Sequence, residues 1–275
     1  MPSDIELYCY CCEEPKVGEE HVPPQSFFAK GNRAGLIKVP SCKLHNQDKS
    51  ADDEYIRSVL LSSIELDGNQ AIASNFEVHS RALIRSGERL KSKLQSDADL
   101  KTFLELQEQF KDDPVAGMKI FSELERSGIS TGLLGLLSND YRDEVVVTSD
   151  GVEHKTISYS FDKQRFLDYF KLMAKALFYH ETKWPWLGEV VLIPHNFVSR
   201  DATKNEIALH HHHLNLINRE SSQGAHKEVF YYKIFTQMKN ERAIDYYFVN
   251  FCLYDHFKFT AIMASENFID HKERI

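Results

Sequence analysis

The chain has 275 residues, 42% hydrophobic and 27% charged, the balance of an ordinary globular protein with length for two modest domains. Its longest apolar run, Gly132 to Leu137, is far too short to cross a bilayer, and its first residues carry no secretory pattern. The net charge of −8 excludes a chain whose whole surface coats nucleic acid, and five cysteines are too few for a disulfide scaffold.

A cytoplasmic protein with no membrane partner is therefore expected. Four of its cysteines, Cys9, Cys11, Cys12 and Cys42, lie in the first 42 residues, a distribution that points to metal in a reduced compartment. Residues 1–49 are rich in Cys, Gly, Pro and Asn, the texture of a small module that needs a metal to fold. The pattern Cys9-x-x-Cys12, then 29 residues, then Cys42-x-x-His45 supplies two close pairs, as a tetrahedral Zn²⁺ site requires. Cys11 sits in the same knuckle and is an alternative ligand.

A helix is predicted to start at Ser50, which can cap it with Asp53 three residues on, while Ile56, Val59 and Leu60 form the apolar stripe. Residues 70–137 read as helical, with Leu100, Phe103, Leu104 and Phe110 at helical spacing and a break at Asp112-Asp113-Pro114. Arg81, Arg85 and Arg89 share one face there, which reads as a solvated one. Strands follow at Val145 to Thr148 and Lys155 to Tyr159 around an Asp150-Gly151 turn, then a helix from Asp162 to Phe178. Further strands are predicted at Glu189 to Ile193, Val229 to Thr236, Tyr246 to Leu253 and Phe257 to Met263. This half reads as an α+β domain with a mostly antiparallel sheet. His210 to His213 read as a polar loop rather than a metal cluster, and Trp184-Pro185-Trp186 as packing.

Between the two ligand pairs lies Glu20-His21-Val22-Pro23, and the second pair sits in Val39-Pro40-Ser41-Cys42-Lys43-Leu44-His45-Asn46-Gln47-Asp48-Lys49-Ser50. In the order and spacing of these pieces the first 60 residues or so resemble the HNH endonuclease family, in its form with a zinc knuckle on a ββα-metal core. The resemblance implies a treble-clef-like module over residues 1–66. A helical connector over 67–143 and an α+β domain over 144–275, for target selection, homodimerisation or regulation, would complete the chain. It also implies that His21 is the general base, and that Glu20 and Asn46 hold a catalytic Mg²⁺ or Mn²⁺. The reaction implied is metal-dependent hydrolysis of phosphodiester bonds in DNA or RNA, in bacterial restriction or anti-phage defence with a partner protein.

Two departures stand out: the second pair is Cys-x-x-His, so His45 or Cys11 completes the zinc site, and the family's middle Asn falls near Gly35. Lys30, Arg33, Lys38, Lys43 and Lys49 face a single Asp48 over residues 30–49, a basic patch suited to backbone phosphates. Lys43 and Lys49 are the strongest candidates for contact. The alternative is a zinc knuckle that binds nucleic acid or a partner protein without cutting.

Overall fold

The computed structural model describes residues 8–47, 49–63, 66, 94, 96–113, 116–129, 141–147, 151–197, 202–214, 217–241 and 243–265. The fold class is α+β, with small antiparallel sheets and a few helices. The described residues of Met1–Arg57 and Arg165–Ile275 form one compact unit, and those of Ser58–Asp67 and Asn75–Gln164 form a second. The Arg81, Arg85 and Arg89 stripe lies outside the described residues.

In the first unit the chain opens with a ribbon of β1 (Gly18–Val22) and β2 (Ile37–Ser41), separated by a single 3₁₀ turn (Gln25–Phe27), and then enters α1 (Ser50–Leu61), of which the part to Arg57 belongs to this unit. The helix begins at Ser50 itself, a residue earlier than a Ser50 cap would set it, and carries Asp52 and Asp53 in its first turn, where the dipole favours them. Tyr55 and Ile56 turn inward and are buried.

The main core of this unit lies between α4 (Lys163–Thr182) and a four-stranded antiparallel sheet in the order β5-β8-β7-β6. These strands are β5 (Val191–Pro194), β6 (Phe230–Asn240), β7 (Ala243–Leu253) and β8 (Phe257–Ala264). Helical spacing sets Phe166, Phe170, Met173 and Leu177 on the buried face of α4, and Phe170 stacks on Phe259 with ring centroids 4.1 Å apart. Trp186 is fully buried and donates from Nε1 to Glu189 O at 3.1 Å, so this tryptophan is core. His195 donates from Nε2 to Thr260 Oγ1 at 2.8 Å, and that hydroxyl donates to Asn250 Oδ1 at 2.6 Å, a polar chain across the sheet.

The tight β7–β8 turn has φ of 57° at Tyr254 and 56° at Asp255, a left-handed conformation costly for a bulky residue. Burial holds Tyr254 there. Its ring stacks on Phe27 of the 3₁₀ turn at 6.2 Å, and its hydroxyl donates to Phe27 O at 3.4 Å. His226 donates from Nε2 to Ala34 O at 2.9 Å beside this contact. The C-terminal sheet region is thus bonded directly to the β1–β2 segment.

One sequence expectation is corrected here. His210 to His213 belong to α5 (Lys204–Leu214), not to a loop. The cause is a reciprocal cap: Thr203 Oγ1 accepts from Glu206 N at 3.3 Å, and Glu206 Oε2 accepts from Thr203 N at 2.7 Å.

In the second unit α2 (Asp97–Gln109), capped by Ser96 accepting from Asp99 N at 3.1 Å, pairs with α3 (Ala116–Arg126) around buried Ile120 and Leu124. A hairpin of β3 (Tyr141–Val147) and β4 (Glu153–Tyr159) completes it, with Gly151 at φ 82° in the turn. Lys119 is buried and bridges Asp113 and Asp143, so its charge is doubly paired. Among the described residues, no helix is long and apolar enough to cross a membrane.

Candidate metal centre and its flanking strand

The first pair of the sulfur cluster is set by a tight knuckle closed by Cys9 N donating to Glu14 O at 2.9 Å. Tyr10 N to Pro40 O and Val17 N to Ser41 O, each 2.9 Å, lash that knuckle to β2. The second pair lies in the turn between β2 and α1, closed by Gln47 N donating to Lys43 O at 3.0 Å. A strand end and a helix start thereby bring together ligands far apart in sequence.

The ligand atoms of Cys9, Cys12, Cys42 and His45 all lie within 4.8 Å of one another. Nδ1 of His45 is 3.5 Å from Cys9 Sγ, 3.5 Å from Cys12 Sγ and 3.2 Å from Cys42 Sγ, and the Cys12 and Cys42 sulfurs are 3.7 Å apart. A tetrahedral ion with Zn–S of about 2.3 Å and Zn–N of about 2.0 Å has S···S edges of about 3.8 Å and S···N edges of about 3.5 Å. The four residues could therefore hold a metal ion, and their soft donors and spacing are consistent with structural zinc.

Cys11 is not one of these four. Its thiol lies 3.9 Å from Cys9 Sγ and acts as a neighbour donating to that sulfur. The donation, more than the opposing burial, brings Cys9 down to about 3, whereas burial and then the charge of Cys9 push Cys12 up to about 12. Bringing the Cys12 sulfur to the thiolate form beside Cys9 would take a cation at the cluster.

Alternation along β1 separates the other sequence candidates. Glu20 and Val22 face inward and are buried, while Glu19 and His21 face outward. Opposite His21 in the ribbon stands Lys38, whose Nζ is 3.7 Å from Glu19 Oε2. Partial burial first, and Lys38 second, hold the His21 imidazole below its ordinary value, so it is neutral at pH 7. Its Nε2 meets Gln25 Nε2 at 2.9 Å, which makes the amide the donor and that ring nitrogen the acceptor. The basic lone pair thus points outward from the strand.

Glu20 instead enters a buried polar cluster. Lys49 pairs with its Oε1, and the two side chains are 6% and 8% exposed. Lys49 Nζ also lies 4.7 Å from the centroid of the Tyr169 ring on α4, and Tyr169 donates its hydroxyl to Asp53 Oδ1 at 2.9 Å. Burial pushes Asp53 up to about 6, against the pull of Lys49 and of the Tyr169 hydroxyl. The other oxygen of Glu20, Oε2, is buried with no close hydrogen bond, and the buried Tyr10 hydroxyl is a neighbour of this carboxylate. Asp53 and Tyr169 carry no motif; Asp53 was legible only as a helix-start acid, and nothing in the sequence singles out Tyr169.

Asn46 meets β1 at Glu19, whose carbonyl accepts from Nδ2 at 3.3 Å. Glycine suits position 18 because an added Cβ would stand 3.2 Å from the same Nδ2. Of the basic patch, Lys30, Lys38 and Lys43 are exposed and Arg33 is half-buried, donating to Phe28 O at 3.3 Å. Lys49, read from the sequence as a phosphate contact, is turned inward because α1 begins beside it and packs it on Glu20 and Tyr169.

Comparison with protein-family models, with curated proteins and with solved structures finds no match for this chain.

Proposed function

We propose that the protein is a metal-dependent endonuclease of the HNH type that hydrolyses phosphodiester bonds in DNA. The reading rests on one observation above the others: a neutral imidazole, His21, faces outward from a strand that the cysteine–histidine cluster clamps. The order knuckle, β1, β2, ligand turn, α1 supports a zinc-stabilised, treble-clef-like module.

For a catalytic ion, Glu20 Oε2 and the Asn46 amide oxygen would be the donors, oxygens that suit a hard cation, with β1 turning the Glu20 carboxylate to the face opposite His21. Such an ion, Mg²⁺ or Mn²⁺, would supply charge stabilisation to the phosphorus under attack and to the departing 3′ oxygen. His21 Nε2 takes a proton from water when the Gln25 amide gives way, and the hydroxide formed attacks the phosphorus. Lys38 and Lys43, both exposed, contact backbone phosphates and make binding weaken with salt.

The pH dependence of cleavage tests this. A base held below 6.5 gives a rate that rises with pH through its lowered value and is level above it, and His21→Ala abolishes that limb. A second reading, a module that binds without cutting, is favoured by the engagement of Glu20 with Lys49. Zinc-loaded protein that retards DNA in a gel yet leaves it intact at every pH would support that second reading.

A further inference from the structure

The buried cluster behind β1 holds two carboxyl groups, Glu20 and Asp53, and one ammonium, Lys49. Lys49 is enclosed by Glu20 Oε1 and by the face of Tyr169, whose hydroxyl is committed to Asp53. An ammonium at 6% exposure persists only where carboxylates and an aromatic face replace its water. Asp53 stands four residues beyond Lys49, one turn along α1, so the helix start delivers both groups to the same place. Arg165 on α4 reinforces that start, with its guanidinium 2.6 Å from Asp52 Oδ1 and 4.2 Å from the centroid of the Tyr55 ring.

We propose that Lys49 is the fixed counter-charge of this cluster, a positioning residue that orients Glu20, and that its ammonium, not a divalent ion, stands between Glu20 and Asp53. Any divalent ion taken by Glu20 is then confined to Oε2. Asp53 is a support for Lys49, not a ligand. Tyr169 makes α4 part of this support, so the β1–β2–α1 segment is not a self-sufficient site. The inference rests on the proposed function only for the role of Glu20, and counting bound ions requires no cleavage, so the two readings can fail separately.

The test is the number of Mn²⁺ ions bound per zinc-loaded full-length chain, measured by equilibrium dialysis with Mn²⁺ electron paramagnetic resonance. Lys49→Met, which leaves two buried carboxylates without their cation, is expected to bind one Mn²⁺ more than wild type. Lys49→Arg and the double variant Lys49→Met with Asp53→Asn are expected to return to the wild-type number. Asp53→Asn alone is expected to leave the number unchanged. The proposal is overturned if folded Lys49→Met binds no additional ion, or if Asp53→Asn alone removes one. The latter measurement decides the matter even if Lys49→Met does not fold.

Discussion

Cys42→Ser, or exhaustive chelation, is expected to strip hydrogen-exchange protection from β1 and β2 while the α4–sheet core keeps its own. The β1–β2 ribbon has five residues in each strand, too little to stand alone in water. What holds it is the four-ligand cluster, since Cys9 and Cys42 are buried and the knuckle is bonded straight to β2. A structural zinc contributes on the order of 10 kcal/mol to the folding of a small domain, so losing a thiolate ligand outweighs the contacts that remain. Those contacts, Tyr254 on Phe27, His226 on Ala34 and Lys49 against Glu20 and Tyr169, hold the segment near the sheet without fixing its strand pairing. The amides of Glu20 and Val39, paired in the ribbon, should exchange at least 100-fold faster, and those of Phe251 and Phe259 should not change. Unchanged protection at Glu20 and Val39 in chelated protein would remove the metal from its structural role.

His21→Ala is expected to lower DNA cleavage by about 100- to 10,000-fold, the usual contribution of a positioned general base. Zinc content and thermal stability should stay near wild type, because His21 faces outward and its side-chain hydrogen bond is to the exposed Gln25. Glu20→Ala offers a contrast. It leaves the buried Lys49 ammonium without Glu20, which costs about 3–5 kcal/mol, so its loss of activity would carry loss of fold with it. A kinetic and thermal comparison of the two variants separates chemistry from support.

The metal ligands were legible because Cys-x-x-Cys and Cys-x-x-His are chemistry written at close range, and only their meeting depends on the fold. The choice of His45 over Cys11 was not legible, since it depends on the turn that carries Nδ1 to three sulfurs. The separation of Glu20 from His21 follows from the two-residue period of a strand, and was open to sequence reasoning. The burial of Lys49 was not: a lysine in a basic stretch resembles a phosphate contact until Tyr169, far along the chain, covers it. The sheet strands were visible as runs of β-branched and aromatic residues, whereas the histidine run misled because its composition hid the Thr203–Glu206 cap that starts α5. Nor could any local pattern announce that Tyr254 would adopt a left-handed backbone to stack on Phe27.

Incubating supercoiled plasmid with purified, zinc-loaded protein and Mg²⁺ or Mn²⁺ asks whether this strand and cluster cut nucleic acid. Nicked or linear product is expected only with the divalent ion, suppressed by EDTA, and lost in His21→Ala at equal zinc content. Plasmid left supercoiled by folded, zinc-loaded wild-type protein with either ion would contradict the proposed cleavage.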